Sequence, residues 1–182
     1  MSIQVFILSQ LMEGSTYPYK LKKDLLESIP LDQLGNITES KLYYHFESLA
    51  KQGFIEVVEI IKDDNRPDKQ VYAITEKGKQ ALPQKIYEIC EKATSFAELL
   101  VPTIFIQHVD IEKVIIILQN KLLKYQQKFE RLQALRIVTK EKRSKVVGME
   151  VFDYFIQQKF EQEIQSLQSL IEQFKNELRA NS

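Results

Sequence analysis

Lys41, Tyr44, His45, Ser48 and Lys51 fall on one side of the stretch from Thr38 to Ile55, and Leu42, Phe46 and Leu49 fall on the other. The apolar residues recur at steps of four and three, the spacing of a single buried stripe on a helix. The polar side consists mostly of hydrogen-bond donors, some of them aromatic. A helix buried on one face and donor-rich on the other suits the DNA major groove, which admits a helix and is lined with acceptors. Both ends of the helix are marked. Thr38 can accept an orphan backbone N–H as N-cap, and Gly53 can take the left-handed conformation that stops a helix.

Such a helix needs elements to hold it. Upstream, Ile3, Phe6, Ile7 and Leu11 space as a helix face that Glu13-Gly14 closes. Pro18 suits the first turn of a second helix, which would bury Tyr19, Leu21, Leu25 and Leu26 and end at Ile29-Pro30. A polar connection from Asp32 to Asn36 leads into the Thr38 helix, so the three helices form a helix-turn-helix arrangement. After Gly53 the period changes to two. Phe54 to Ile61 and Val71 to Ile74 read as strands around a polar tip from Lys62 to Lys69, a β-hairpin wing. Lys41, Tyr44 and His45 are the base-edge candidates, because the N-terminal half of a recognition helix enters the groove. Thr38, Ser40, Lys51, Lys20, Lys23 and the wing residues Arg66 and Lys69 complete the candidate DNA-contacting set. Tyr19 is open between a phosphate contact and a core ring, and Tyr43 reads mainly as core.

The second half organises the chain. Thr75 opens a helix with an apolar face running from Ile86 through Ile89, Cys90, Ala93, Phe96 and Ala97 to Leu100; Pro83 interrupts or kinks it and Pro102 ends it. Ile111, Ile115, Leu118, Leu122, Tyr125, Phe129 and Leu132 then alternate steps of four and three, a heptad seam. A polar loop from Thr139 to Ser144 reverses the chain. Phe160, Ile164, Leu167, Ile171, Phe174 and Leu178 repeat the pattern, with a stutter upstream through Met149, Phe152 and Ile156. One antiparallel hairpin has too little surface to bury both seams and the flanking Val114, Ile116, Ile117, Val151 and Phe155. A second copy of the chain is the natural cover, and the seam residues are the candidate dimerisation set.

Composition bounds the function. The 182 residues are 44% hydrophobic, with only five Gly and five Pro, which fits a mainly α fold. The single cysteine, Cys90, excludes an intrachain disulfide and reads as a core residue. No Ser/His/Asp set, metal-ligand spacing or Gly-rich phosphate loop is present, so no enzyme, cofactor or metal is expected. No signal peptide or membrane span is evident, and the cytoplasm is the expected location. Net charge is zero; residues 1–80 hold ten basic and twelve acidic side chains, a formal −2, and the remainder a formal +2. A DNA-binding face must therefore arise by local segregation of charge. The basic residues Lys140, Lys142, Arg143 and Lys145 read as a solvated loop.

Three ordered motifs then carry a resemblance. Glu13-Gly14-Ser15-Thr16-Tyr17-Pro18-Tyr19-Lys20-Leu21, Leu42-Tyr43-Tyr44-His45-Phe46-Glu47-Ser48-Leu49 with Gly53-Phe54-Ile55, and Lys69-Gln70-Val71-Tyr72-Ala73-Ile74-Thr75 with Gly78 resemble the signature of the PadR family of bacterial transcription regulators. Tyr17-Pro18 replaces His-Gly, Tyr44 replaces Pro, and Glu47-Ser48 stands where basic residues are common. The resemblance implies a winged helix-turn-helix, a homodimer, and a repressor that leaves double-stranded DNA on meeting a small effector of aromatic or phenolic type. Phe96 and Phe105 are candidates to line its pocket. The expected organisation is a winged helix-turn-helix DNA-binding domain over residues 1–82, a connecting helix and linker over 83–109, and an antiparallel helical hairpin for dimerisation over 110–182. The acidic balance of residues 1–80 supports a second reading, a winged-helix protein-interaction adaptor without DNA. Loss of DNA affinity in Lys41→Ala and Arg66→Ala, with the dimer intact, separates the two.

Overall fold

The computed structural model describes residues 2–28, 38–63, 66–139 and 146–180. The expected connection Asp32 to Asn36, the wing tip at Asp64-Asn65 and the basic loop at Lys140 to Lys145 lie outside the described residues. The chain is mainly helical and divides into two compact units. Residues 1–93 and 97–110 form the first; residues 94–96 and 111–182 form the second.

In the first unit, α1 (Ser2–Glu13), α2 (Pro18–Ser28) and α3 (Glu39–Lys51) are followed by β1 (Ile55–Asp63), β2 (Arg66–Ile74) and α4 (Glu76–Lys92). This is a winged helix-turn-helix. Helix α1 packs against α3, α4 and β2 and buries Val5, Phe6, Ile7, Leu8 and Leu11 together. A helix covered on several sides loses its one-faced period, which is why the spacing pointed to only part of this set. Leu42, Phe46 and Leu49 are the buried residues of α3, and the Phe46 ring lies 5.0 Å from that of Tyr72 on β2. Thr38 caps α3 by accepting the Lys41 N–H. Gly53 ends it at φ +73°.

A Cβ added at Gly53 would meet nothing closer than the Lys77 ammonium at 3.9 Å. Gly53→Ala should therefore lose only the left-handed backbone term, about 1–2 kcal/mol. Urea unfolding measures this, and an unchanged midpoint contradicts it.

The wing is a two-stranded antiparallel sheet whose ladder reaches Asp63 opposite Arg66. The strands thus extend further than the expected polar tip allowed, since Lys62 lies within β1 and Lys69 pairs with Ile61. The ladder shifts register twice, between Val57 and Glu59 within the strand and between Ile61 and Asp63 beside the tip. Thr16 bridges Tyr72 through two backbone hydrogen bonds of 3.0 and 2.8 Å and ties the α1–α2 connection to β2. Phe54 lies under two cations: the ammonium groups of Lys77 and Lys85 are 5.1 and 5.0 Å from its ring centre.

Three expectations are corrected here. Tyr19 is 55% exposed, and Pro18 beside it is buried. Tyr43 is 44% exposed because Leu42 takes the core position. Helix α4 runs unbroken through Pro83 but stops at Lys92, well before Pro102. Ala93 turns extended at ψ 129°, a short 3-10 turn spans Phe96–Leu99, and Pro102 sits inside α5 (Leu100–Ile104).

In the second unit, α6 (Ile111–Val138) and α7 (Met149–Ala180) pack along each other. Val114, Ile115 and Leu118 of α6, and Leu167, Leu170, Ile171 and Phe174 of α7, are buried. Further along, the Phe160 ring stacks on Phe129 at 5.5 Å and meets Tyr125 at 6.1 Å. Arg136 pairs with Asp153 at 3.6 Å and donates to Gln157. The 94–96 segment is held to these helices: the Tyr125 hydroxyl donates to the Thr94 carbonyl, and Glu163 accepts the Phe96 N–H at 2.8 Å.

Candidate nucleic-acid interface

Helix α3 positions the candidate groups. With Leu42, Phe46 and Leu49 fixed inward, the 100° step per residue sends Ser40, Tyr44, Glu47 and Lys51 outward. All four are exposed, and Tyr44 is 66% exposed. Lys41 is exposed on one flank, and Tyr43 on the other. His45 sits at the edge of the core face instead. Its ring is half-buried, its Nδ1 is buried without a hydrogen-bond partner, and burial holds its pKa below the ordinary value. Burial thus disfavours a positive charge on this ring.

Helix α2 adds Tyr19 and the exposed Lys20 and Lys23. Lys22 is engaged with Glu39 at 3.2 Å, a link from α2 to the first turn of α3. The pair is partly exposed, so it fixes orientation more than it stabilises.

The wing is more mixed than a phosphate-binding loop needs. Val58 and Ile60 of β1 are 52% and 53% exposed, with Glu56 and Glu59 exposed beside them. Lys62 is exposed, whereas the half-buried Lys69 lies with its ammonium 5.9 Å over the Tyr17 ring. The Arg66 side chain lies outside the described residues.

A cleft of about 420 Å³ opens elsewhere in the first unit. Its apolar lining is Met12, Leu82, Pro83 and Val109, and its polar lining is Lys79, Tyr87, Gln107, His108 and Asp110. The Tyr87 hydroxyl accepts the Asp110 N–H at 2.9 Å. His108 stacks on Phe105 at 6.3 Å, and burial lowers its pKa against the opposing charge of Glu13. Phe105 itself is 4% exposed and packs on Phe6, so it is core and does not line this cleft. Phe96 belongs to the second unit. No periodic pattern marks the cleft in the sequence, because it joins α1, α4 and an irregular turn.

Among the described residues no group of His, Cys, Asp and Glu could hold a metal ion, and no helix is long and apolar enough to cross a membrane.

Residues 7–84 match the model of the transcriptional regulator PadR-like family. The chain belongs to that family. The matched span runs from the middle of α1 into α4 and contains α3 and the whole wing. PadR-like proteins are transcription regulators and not enzymes. Among solved structures, Bacillus subtilis PadR in complex with operator DNA is 19% identical, covering 96% of this chain and 99% of that one, with a TM-score of 0.42. The same protein in complex with p-coumaric acid gives 0.38 at 19% identity over the same shares. A transcriptional regulator from Clostridium thermocellum is 33% identical, covering 47% of this chain and 79% of that one, with a TM-score of 0.39. None of the curated proteins matches this PadR-like chain.

Proposed function

We propose that this PadR-like regulator is a homodimeric repressor whose two α3 helices read the half-sites of a pseudo-palindromic operator, and that a small aromatic acid releases it. The observation that carries the reading is the outward face of α3, with Ser40, Tyr44 and Lys51 exposed and Lys41 beside them. Thr38, Tyr19, Tyr43, Lys20 and Lys23 supply donors at its margins, Lys69 adds one on the wing, and Arg66 is a candidate there from the sequence. His45 supports the helix more than it reads a base, because its ring is half-buried.

The dimer reading is supported by what the hairpin leaves uncovered. Within one protomer, α6 and α7 already bury Ile115, Leu118, Leu167, Ile171 and Phe174, and Tyr125, Phe129 and Phe160 meet one another. Ile111, Leu122 and Ile164 are half-buried. Large apolar side chains remain exposed near the far end of the hairpin, among them Val151 at 71%, Phe152 at 66% and Phe155 at 61%. A patch of this kind on a soluble domain marks an interaction surface, and a second copy supplies a matching one.

The effector reading is supported by the cleft around Tyr87 and His108, which is of the size small-molecule sites occupy. Lys79 and His108 suit a carboxylate, and Asp110 and Gln107 suit a hydroxyl. B. subtilis PadR has been solved with p-coumaric acid. A ligand that favours one form of the protein shifts the population toward that form.

The paired variants Lys41→Ala and Arg66→Ala test the DNA reading. Each should lose DNA affinity while the dimer persists, and loss of a phosphate contact should reduce the salt slope by about one. Full-length protein with no DNA affinity before substitution supports the adaptor reading, which the exposed Glu56 and Glu59 of the wing favour.

A further inference from the structure

We propose that Glu47 is a specificity-determining residue that reads cytosine in the major groove. The inference rests on the DNA-binding reading above and adds a base preference to it. Glu47 is exposed on α3, three residues after Tyr44 and four before Lys51, on the outward face of the helix. Its charge also acts on Tyr72 of β2, whose phenol is raised in pKa by burial first and by Glu47 second.

A carboxylate on this face is out of place unless it has a partner. It is repelled by phosphates, and Coulomb repulsion is strongest where water is excluded from the interface. The major-groove edge offers two amino donors, N4 of cytosine and N6 of adenine. On adenine the amino group is flanked by the N7 acceptor, which repels the second carboxylate oxygen. On cytosine it is flanked by a C–H edge, which does not. Guanine presents only acceptors there and thymine an acceptor and a methyl group, so a carboxylate is rejected by both. Glu47 thus has one good partner among the four bases. It can exclude wrong sites by repulsion as effectively as it holds the right one. Lys51, one turn along, supplies the positive charge that keeps the face attractive to the backbone.

The alternative is a carboxylate that weakens binding to every sequence equally. Selection from a randomised duplex pool by the full-length protein separates the two, carried out in parallel with Glu47→Gln and Glu47→Ala. The wild type should enrich cytosine at one fixed position in each half-site. Glu47→Ala should lose that preference. Glu47→Gln should move it toward adenine, whose N6 and N7 an amide pairs with, and the change in discrimination should be roughly 5- to 150-fold. An unchanged motif in both variants, with every duplex bound more tightly by the same factor, overturns the proposal and leaves DNA binding standing. No enrichment of any duplex by the wild type overturns the DNA-binding reading itself. The side chain is exposed, so neither substitution disturbs the core, and circular dichroism checks this.

Discussion

Phe155→Lys should convert the proposed dimer into a monomer and remove tight operator binding, while the protomer stays folded. Phe155 is 61% exposed within one chain, so the substitution leaves the core untouched. In a dimer the same position would be covered together with Val151 and Phe152, which are at least as exposed. Burying a large apolar side chain contributes about 1.5–3 kcal/mol. Replacing one at the centre of an interface with lysine both removes that gain and strands an ammonium without a partner. In a two-fold interface each substitution would act twice. The consequence for DNA is larger still. Two linked recognition helices bind with an effective concentration that exceeds a single one by about 100- to 10,000-fold. Sedimentation velocity and duplex titration should therefore change together. A variant that remains dimeric shows that the two copies meet elsewhere; a variant that becomes monomeric and still binds at full affinity shows that one α3 suffices.

Gly78→Ala should destabilise the first unit, although helix propensity alone predicts the reverse. Gly78 sits in the first turn of α4, and Ala there would ordinarily stabilise by about 1 kcal/mol. Here an added Cβ would lie well inside contact distance of the Phe54 carbonyl oxygen and 2.8 Å from Ile74 Cγ1. The Phe54 carbonyl cannot move aside easily, because it accepts the Thr75 N–H at 3.0 Å. The Thr75 side chain meanwhile caps Gly78 and donates to the Gly53 carbonyl. The end of α3, the start of β1 and the start of α4 thus meet at one crowded point. Overpacking of this kind costs about 1–3 kcal/mol or more and outweighs the propensity term. Urea unfolding should show a lower midpoint. A raised midpoint means that the junction relaxes and that no close packing is required there.

Helix α3 was legible because its signals are local. Thr38 and Gly53 mark its ends, and Leu42, Phe46 and Leu49 mark its buried side within a few turns. The same holds for the wing strands and for α6 and α7, whose four-and-three spacing persists over many turns. Other features depend on partners far along the chain. Helix α4 ends at Lys92 in a segment whose backbone is captured by Tyr125 and Glu163, 31 and 67 residues from their partners. Nothing in the local sequence announces that capture. The exposure of Tyr19 and Tyr43 was equally hidden, since an aromatic ring beside a core position reads as core until its neighbour is seen to fill the space. The face of α3 is legible as donor-rich, but in the sequence Glu47 reads only as a departure from the family pattern. Only its placement between Tyr44 and Lys51 gives it a role to test.

The most direct measurement is a titration of a labelled duplex, taken from the enriched pool, with the protein across a series of salt concentrations. If two α3 helices and their flanking lysines meet the backbone at six to ten phosphates, affinity should fall by about 1,000- to 100,000-fold between roughly 50 and 200 mM salt, with two chains bound per duplex. Binding that is absent at low salt, or that does not change with salt, contradicts a recognition helix seated in DNA.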